Sequence, residues 1–148
     1  MKKSTFINAG MLEGYAGDDV YTSYMLMGDE LVGEPVINVN WGTLKPHTRL
    51  DGGSHEKAEL YFVFKCQEGA SVVTGQGEEE IRYFVKPGDV IHIPGGCFHW
   101  IDNRDCDEEF IIVTMWPNQE QNGAYHARLK AWGTSFRFKE GAKADTDK

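Results

Sequence analysis

The sequence predicts an all-β domain, a sandwich or barrel with one short helix near its C-terminus. Three observations lead there. Short runs rich in β-branched and aromatic residues recur along the chain, turns bearing Gly or Pro separate them, and helical spacing is found only over Tyr125–Trp132.

Residues 1–20 carry Gly10, Gly14 and Gly17 with little periodicity and read as an arm or irregular edge. Tyr21–Met27, YTSYMLM, reads as a strand, with a short helix as the alternative, and Gly28–Gly33 as a polar turn. Val36–Leu44 alternates Ile37, Val39, Trp41 and Thr43 with Asn38 and Asn40, the period of a half-buried strand. Lys45–Ser54 reads as irregular and ends in the reversal signal Asp51-Gly52-Gly53. Glu59–Cys66, ELYFVFKC, is a strand by composition. Ser71–Thr74 and Glu80–Lys86 flank Gly75-Gln76-Gly77 as a hairpin, with Glu78–Glu80 a solvated turn face. Val90–Ile93 and Phe98–Ile101 are two further strands broken apart by Pro94-Gly95-Gly96, and Phe110–Trp116 is the last, stopped by Pro117. Tyr125, Leu129 and Trp132 then fall at i, i+4 and i+7, an apolar stripe on a helix of about three turns, with Gly133 as stop signal. That stripe is expected against the outer wall of the barrel. The chain reads as one domain, 1–148, with its barrel core at about 36–117, an N-terminal arm at 1–35, and the helix and polar tail at 118–148.

At 148 residues and 41% hydrophobic content the chain can bury a core without disulfides. Its formal net charge of -8 argues against nucleic acid and anionic membranes as partners. No run approaches the ~18 apolar residues of a membrane helix, and Met1-Lys2-Lys3 leads into no apolar signal core, so a cytoplasmic location is expected. Cys66, Cys97 and Cys106 are odd in number and lack CxxC spacing, which argues against a disulfide framework. Cys97 reads as a small buried hydrophobe, with a reactive thiol as the alternative.

The stretch Gly88–Asn103, GDVIHIPGGCFHWIDN, spaces Gly, five residues, Pro, one, Gly, two, His, three, Asn. Five residue types at fixed gaps arise by chance with a probability on the order of 10⁻⁷ per start. The stretch resembles the second motif of the cupin superfamily at every defined position, and the resemblance covers roughly Leu44–Trp116. It implies a jelly-roll β-barrel and makes His99 a metal ligand. His55 and Glu59 match the second His and the Glu of the family's first motif, whose first His would fall at Gly53. The terminal Gly of that motif is displaced as well, so the first motif is degenerate where the second is complete.

On an extended chain His55 and Glu59 share a face. With His99 they form a His₂Glu set suited to one divalent ion: Zn, Fe, Mn or Ni. A hairpin reversing at Leu50–Gly53 would bring His47 beside His55 as fourth ligand; the alternative is a surface loop residue. His92 either lines the pocket or faces the outer layer. Tyr61, His92 and an unligated Glu59 are the candidate catalytic residues, and Arg49, Lys57, Tyr61 and Arg82 candidate anchors for an anionic group. Trp41, Trp100 and Trp116 read as barrel walls, and His126 as solvated.

The resemblance leaves the reaction open. The leading reading is a metal-dependent isomerase or lyase of a small sugar or hydroxy acid. A first alternative is an Fe(II)-dependent dioxygenase, and a second a non-catalytic small-ligand-binding cupin. A homodimer is expected from the family's habit.

Overall fold

The apolar runs become nine strands among the residues described by this computed structural model, which are 4–28, 31, 37–117 and 123–144. They are β1 (Tyr21–Met27), β2 (Ile37–Leu44), β3 (Arg49–Gly53), β4 (Glu59–Lys65), β5 (Ser71–Thr74), β6 (Ile81–Phe84), β7 (Val90–Ile93), β8 (His99–Asp102) and β9 (Phe110–Pro117). The helix α1 (Gly123–Trp132) follows. The larger sheet has the order β1-β2-β9-β4-β7 and the smaller β3-β8-β5-β6, with every pairing antiparallel. Consecutive strands such as β4 and β5 lie in different sheets, so the chain crosses between layers as a jelly roll does. No helix among the described residues is long and apolar enough to cross a membrane.

The core lies between the sheets, toward one end. Leu44, Val63, Ile112 and Phe110 of the larger sheet meet Val72 and Ile101 of the smaller, all at most 1% exposed. Each contributes about 2 kcal/mol by burial. Toward the other end the same inner face turns polar: Ser23, Asn40 and Thr114 are buried there. β2 therefore has the expected alternation, but Asn38 and Asn40 are its buried set while Ile37, Val39 and Trp41 face outward. Trp41 meets Phe64 of β4 on the outside of the sheet, with ring centroids 4.6 Å apart and planes tilted by 54°.

Two further expectations are corrected. Residues 49–53 form a strand rather than a reversal, pairing with β8 so that Arg49 faces Asp102 and Gly53 faces His99. The helix does not lie on the outer wall. Tyr125 packs on Met25 and Trp116, with Leu129 and Phe136 alongside. Trp116 shares its strand face with the core residue Ile112, so α1 closes the polar end of the barrel from within the layer between the sheets. Arg128, 1% exposed, donates from that helix to Ser23 Oγ and Asn40 Oδ1.

Candidate metal centre

Three elements bring the donor atoms together. Glu59 opens β4, His99 opens β8, and His55 lies in the loop before β4. Gly95 and Gly96 dock the loop before β8 onto the His55 loop. A Cβ on Gly95 would meet the Glu56 carbonyl oxygen at 2.0 Å, and Gly96, at φ +78°, donates its N–H to His55 O at 2.7 Å. The two glycines thus set the distance between the two histidine-bearing segments.

In the resulting cluster His55 Nε2 lies 2.7 Å and His99 Nε2 3.4 Å from Glu59 Oε2. The ligand atoms of all three fall within 4.8 Å of one another. Each imidazole donates its Nδ1–H to a carbonyl, His55 to Lys57 O at 2.8 Å and His99 to Cys97 O at 2.9 Å. These bonds direct both Nε2 atoms to the common point, the orientation that a metal-binding imidazole needs. Two imidazole nitrogens and a carboxylate suit a borderline divalent ion, so the residues fit the ion that the fold implies.

The electrostatics follow from the geometry. The Glu59 hydrogen bond raises the His55 imidazole above its ordinary value, against the opposing effect of burial. Burial alone would raise the Glu59 carboxyl, but hydrogen bonds from His55 and His99 outweigh it and hold the group below the usual carboxylate range. Burial first, and then the charge of Glu59, pushes the Tyr61 phenol well above its ordinary value. The Tyr61 ring stands edge-on to His99 at 5.6 Å.

The cluster lies in a cavity of about 560 Å³, within the range of small-molecule sites. Neutral hydrogen-bonding side chains dominate its wall: Tyr15, Tyr21, Ser23, Asn40, Ser54, Tyr61 and Thr114. Ala124 and Ala127 of α1 line it too. Among the described residues no Lys or Arg does. Arg49 and Arg82 instead lie over the Trp100 ring at 5.1 Å each, and Lys57 sits beside Glu56, 40% exposed. With Arg104, Arg82 pairs with Asp102. The hydrogen bonds of Arg104 foremost, then that of Arg82, hold the Asp102 carboxyl down to about 2 despite its partial burial.

Of the candidate site residues, His55, Glu59, His99 and Tyr61 converge, whereas His47 and His92 do not. His47 pairs with exposed Asp107 at 2.9 Å and with Arg104 O at 3.2 Å, so its placement as fourth ligand is corrected. Because 49–53 is extended, five residues at ~3.3 Å carry it away from the Gly53 end of β3. His92 is exposed on the outer face of β7, opposite Leu60 of β4, and its candidacy as a catalytic residue is corrected likewise. Sequence reasoning missed Tyr21, Ser23, Asn40 and Thr114. The one available signal was Asn38 and Asn40 inside an otherwise apolar strand.

No family model matches the chain, and no curated protein matches it in sequence. Solved structures do match in shape. Vicilin from Corylus avellana (hazelnut) superposes with a TM-score of 0.63 at 20% identity over 88% of this chain, which spans 42% of that protein. Oxalate oxidase, solved with the substrate analogue glycolate, gives 0.64 at 19% identity over 78% of this chain and 60% of its own. A cupin-like protein from Thermotoga maritima gives 0.56 at 21% identity over 72% of this chain and 80% of its own.

Proposed function

We propose that this chain, which has the cupin fold, is a metal-dependent enzyme of the isomerase or lyase type acting on a small hydroxylated metabolite. His55, Glu59 and His99 hold one divalent ion at the floor of the cavity. The observation that carries this reading is the set of three converging donors, open on one side toward a wall rich in hydroxyl and amide groups, with Asp18 and Asp51 also lining it. A bound ion supplies Lewis-acid polarisation of a carbonyl or hydroxyl. The residues of the chain do the rest. Ser23, Asn40 and Thr114 orient substrate hydroxyls, and the metal-facing carboxylate of Glu59 leaves proton movement to Tyr61. That phenol stays protonated near neutral pH and donates at the substrate oxygen nearest His99. The hydroxyl and amide groups of the wall suit a hydroxylated substrate, and Arg128, which donates to Ser23 Oγ and Asn40 Oδ1 behind that wall, holds both groups in place.

A second reading, an Fe(II)-dependent dioxygenase, draws support from Gly53. It faces His99 across the ladder with nothing within 4 Å of a Cβ built on it, so three protein ligands leave adjacent positions for O₂ and substrate. The glycolate-bound oxalate oxidase neighbour is compatible with such oxygen chemistry on this fold.

Elemental analysis of untagged protein should find near one divalent ion per chain, and His99→Ala should remove most of it. Equal metal in the variant would show the site to be misplaced. Turnover of a sugar under anaerobic conditions with Mn²⁺, Zn²⁺ or Ni²⁺ supports the isomerase or lyase. O₂ uptake confined to the Fe(II)-loaded protein would replace it with the dioxygenase. A tight ligand without turnover in either assay would leave a binding protein.

A further inference from the structure

Strands β1 and β2 send a chain of hydrogen bonds into the polar end of the cavity. Their register sets Tyr21 opposite Leu44 and Ser23 opposite Gly42, with Asn40 two residues further along the same inner face. Gly42 lets the Tyr21 ring lie along that face, because a Cβ at 42 would fall on Tyr21 Oη and the ring carbon that bears it. The phenol thereby reaches Asn40, whose side chain hydrogen-bonds it. Tyr21, Ser23 and Asn40 all line the cavity that holds Glu59 and His99.

The polarity of this chain is fixed from behind. An arginine has N–H donors and no acceptor. Arg128 therefore meets Ser23 Oγ and Asn40 Oδ1 as acceptors, and Ser23 turns its own O–H onto the same Asn40 oxygen. With that oxygen engaged twice, Asn40 has only N–H groups left to offer the phenol, so Tyr21 Oη accepts there. Burial foremost, and then the Glu59 charge, raise the Tyr21 phenol above its ordinary value. Arg128 and the Asn40 hydrogen bond act to lower it, as a bond donated to the phenol oxygen does. A phenol held protonated, its oxygen already accepting from Asn40, has its O–H left to give.

We propose that Tyr21 gives this O–H as a hydrogen bond to a carbonyl oxygen of the ligand, which makes the ligand a hydroxycarbonyl compound. Asn40, Gly42 and Arg128 are then positioning residues. The assignment rests on the reading of the cavity as the substrate chamber of a metal site. Tyr61 serves the oxygen nearest His99, and Tyr21, on β1, serves a second one. A carbonyl suits that place better than a hydroxyl. An alcohol oxygen brings a proton of its own, which the engaged Asn40 Oδ1 does not take, and a buried O–H without a partner is costly.

Protein loaded with Co²⁺ reports ligand arrival through its visible absorption. Titration with hydroxyacetone and with propane-1,2-diol compares a carbonyl with a hydroxyl on one uncharged carbon skeleton. Wild type should bind hydroxyacetone about tenfold more tightly, the worth of one hydrogen bond. Tyr21→Phe should abolish that preference by weakening hydroxyacetone alone, and Gly42→Ala should do the same by displacing the phenol. Asn40→Asp keeps the Tyr21 hydroxyl but sets beside it a carboxylate that accepts its proton, so the preference should again be lost. A Tyr21 of structural role only would leave it intact. Circular dichroism and one Co²⁺ per chain are the controls for fold and site, and Asn40→Asp keeps the test readable if the other two variants misfold. A wild type that holds Co²⁺ but binds the two probes alike, or binds neither, overturns the proposal and leaves the metal reading standing. Tyr21→Phe with the preference unchanged does the same. A wild type that holds no Co²⁺ overturns both.

Discussion

Gly53 stands where the first motif that the sequence resembles carries a histidine, and the difference is open to test. It lines the cavity, faces His99 across the β3–β8 ladder, and has free space where a side chain would project. Gly53→His should therefore add a third imidazole without displacing a neighbour. Affinity for Zn²⁺ should rise about tenfold or more, read by competition with a chromogenic chelator. Unchanged affinity would mean that β3 directs the new side chain away from the ion. The same region shows what was legible at this scale. His55, Glu59 and His99 could be read because the motif spacing is local and the register is short. His47 could not, because its reach depended on a reversal at Leu50–Gly53. The two glycines there look like a turn in one dimension, whereas pairing with β8 makes them a strand.

Elements were more legible in kind than in orientation. The alternation in β2 and the stripe of α1 were both plain, but a period does not say which side is inside. For β2 the inner side at that level is a polar cavity. For α1 the vacant partner was the open end of the barrel, where Met25 and Trp116 lie. The helix residues are consequently unequal. Tyr125 is 7% exposed between Met25 and Trp116, and Tyr125→Ala should cost about 3 kcal/mol. Trp132 is half-buried, meeting Tyr15 edge-on at 5.7 Å, so Trp132→Ala should cost only about 1 kcal/mol. Urea denaturation measures both, and the opposite ranking would put the helix on the wrong face. Neither residue belongs to the donor set, so both variants should keep their metal. Tyr15 does line the cavity, and loosening it would alter ligand binding alone.

At the scale of the whole molecule, one cluster links stability to both pH and metal, with opposite signs. Without metal, His55 has its proton-binding affinity raised in the fold, mainly by Glu59. Its contribution is complete below its ordinary value of 6.5 and is lost as pH rises through the raised one. Glu59 is held low, so its contribution is complete above its ordinary value of 4.5 and is lost as pH falls through the lowered one. The metal-free protein should thus be most stable between 4.5 and 6.5 as far as this pair is concerned. An ion needs the His55 Nε2 lone pair that the proton occupies, so its affinity should rise with pH over the interval in which the ion pair weakens. Free ion at about 100 times its dissociation constant adds about 2.7 kcal/mol. At about 3 °C per kcal/mol for a chain of this size, Tm should rise by roughly 8 °C. Thermal scans from pH 5 to 8.5, with chelator and with Zn²⁺, should therefore diverge as pH rises. Equal Tm values at pH 8, or a gap widest at pH 5, would remove His55 from the metal site.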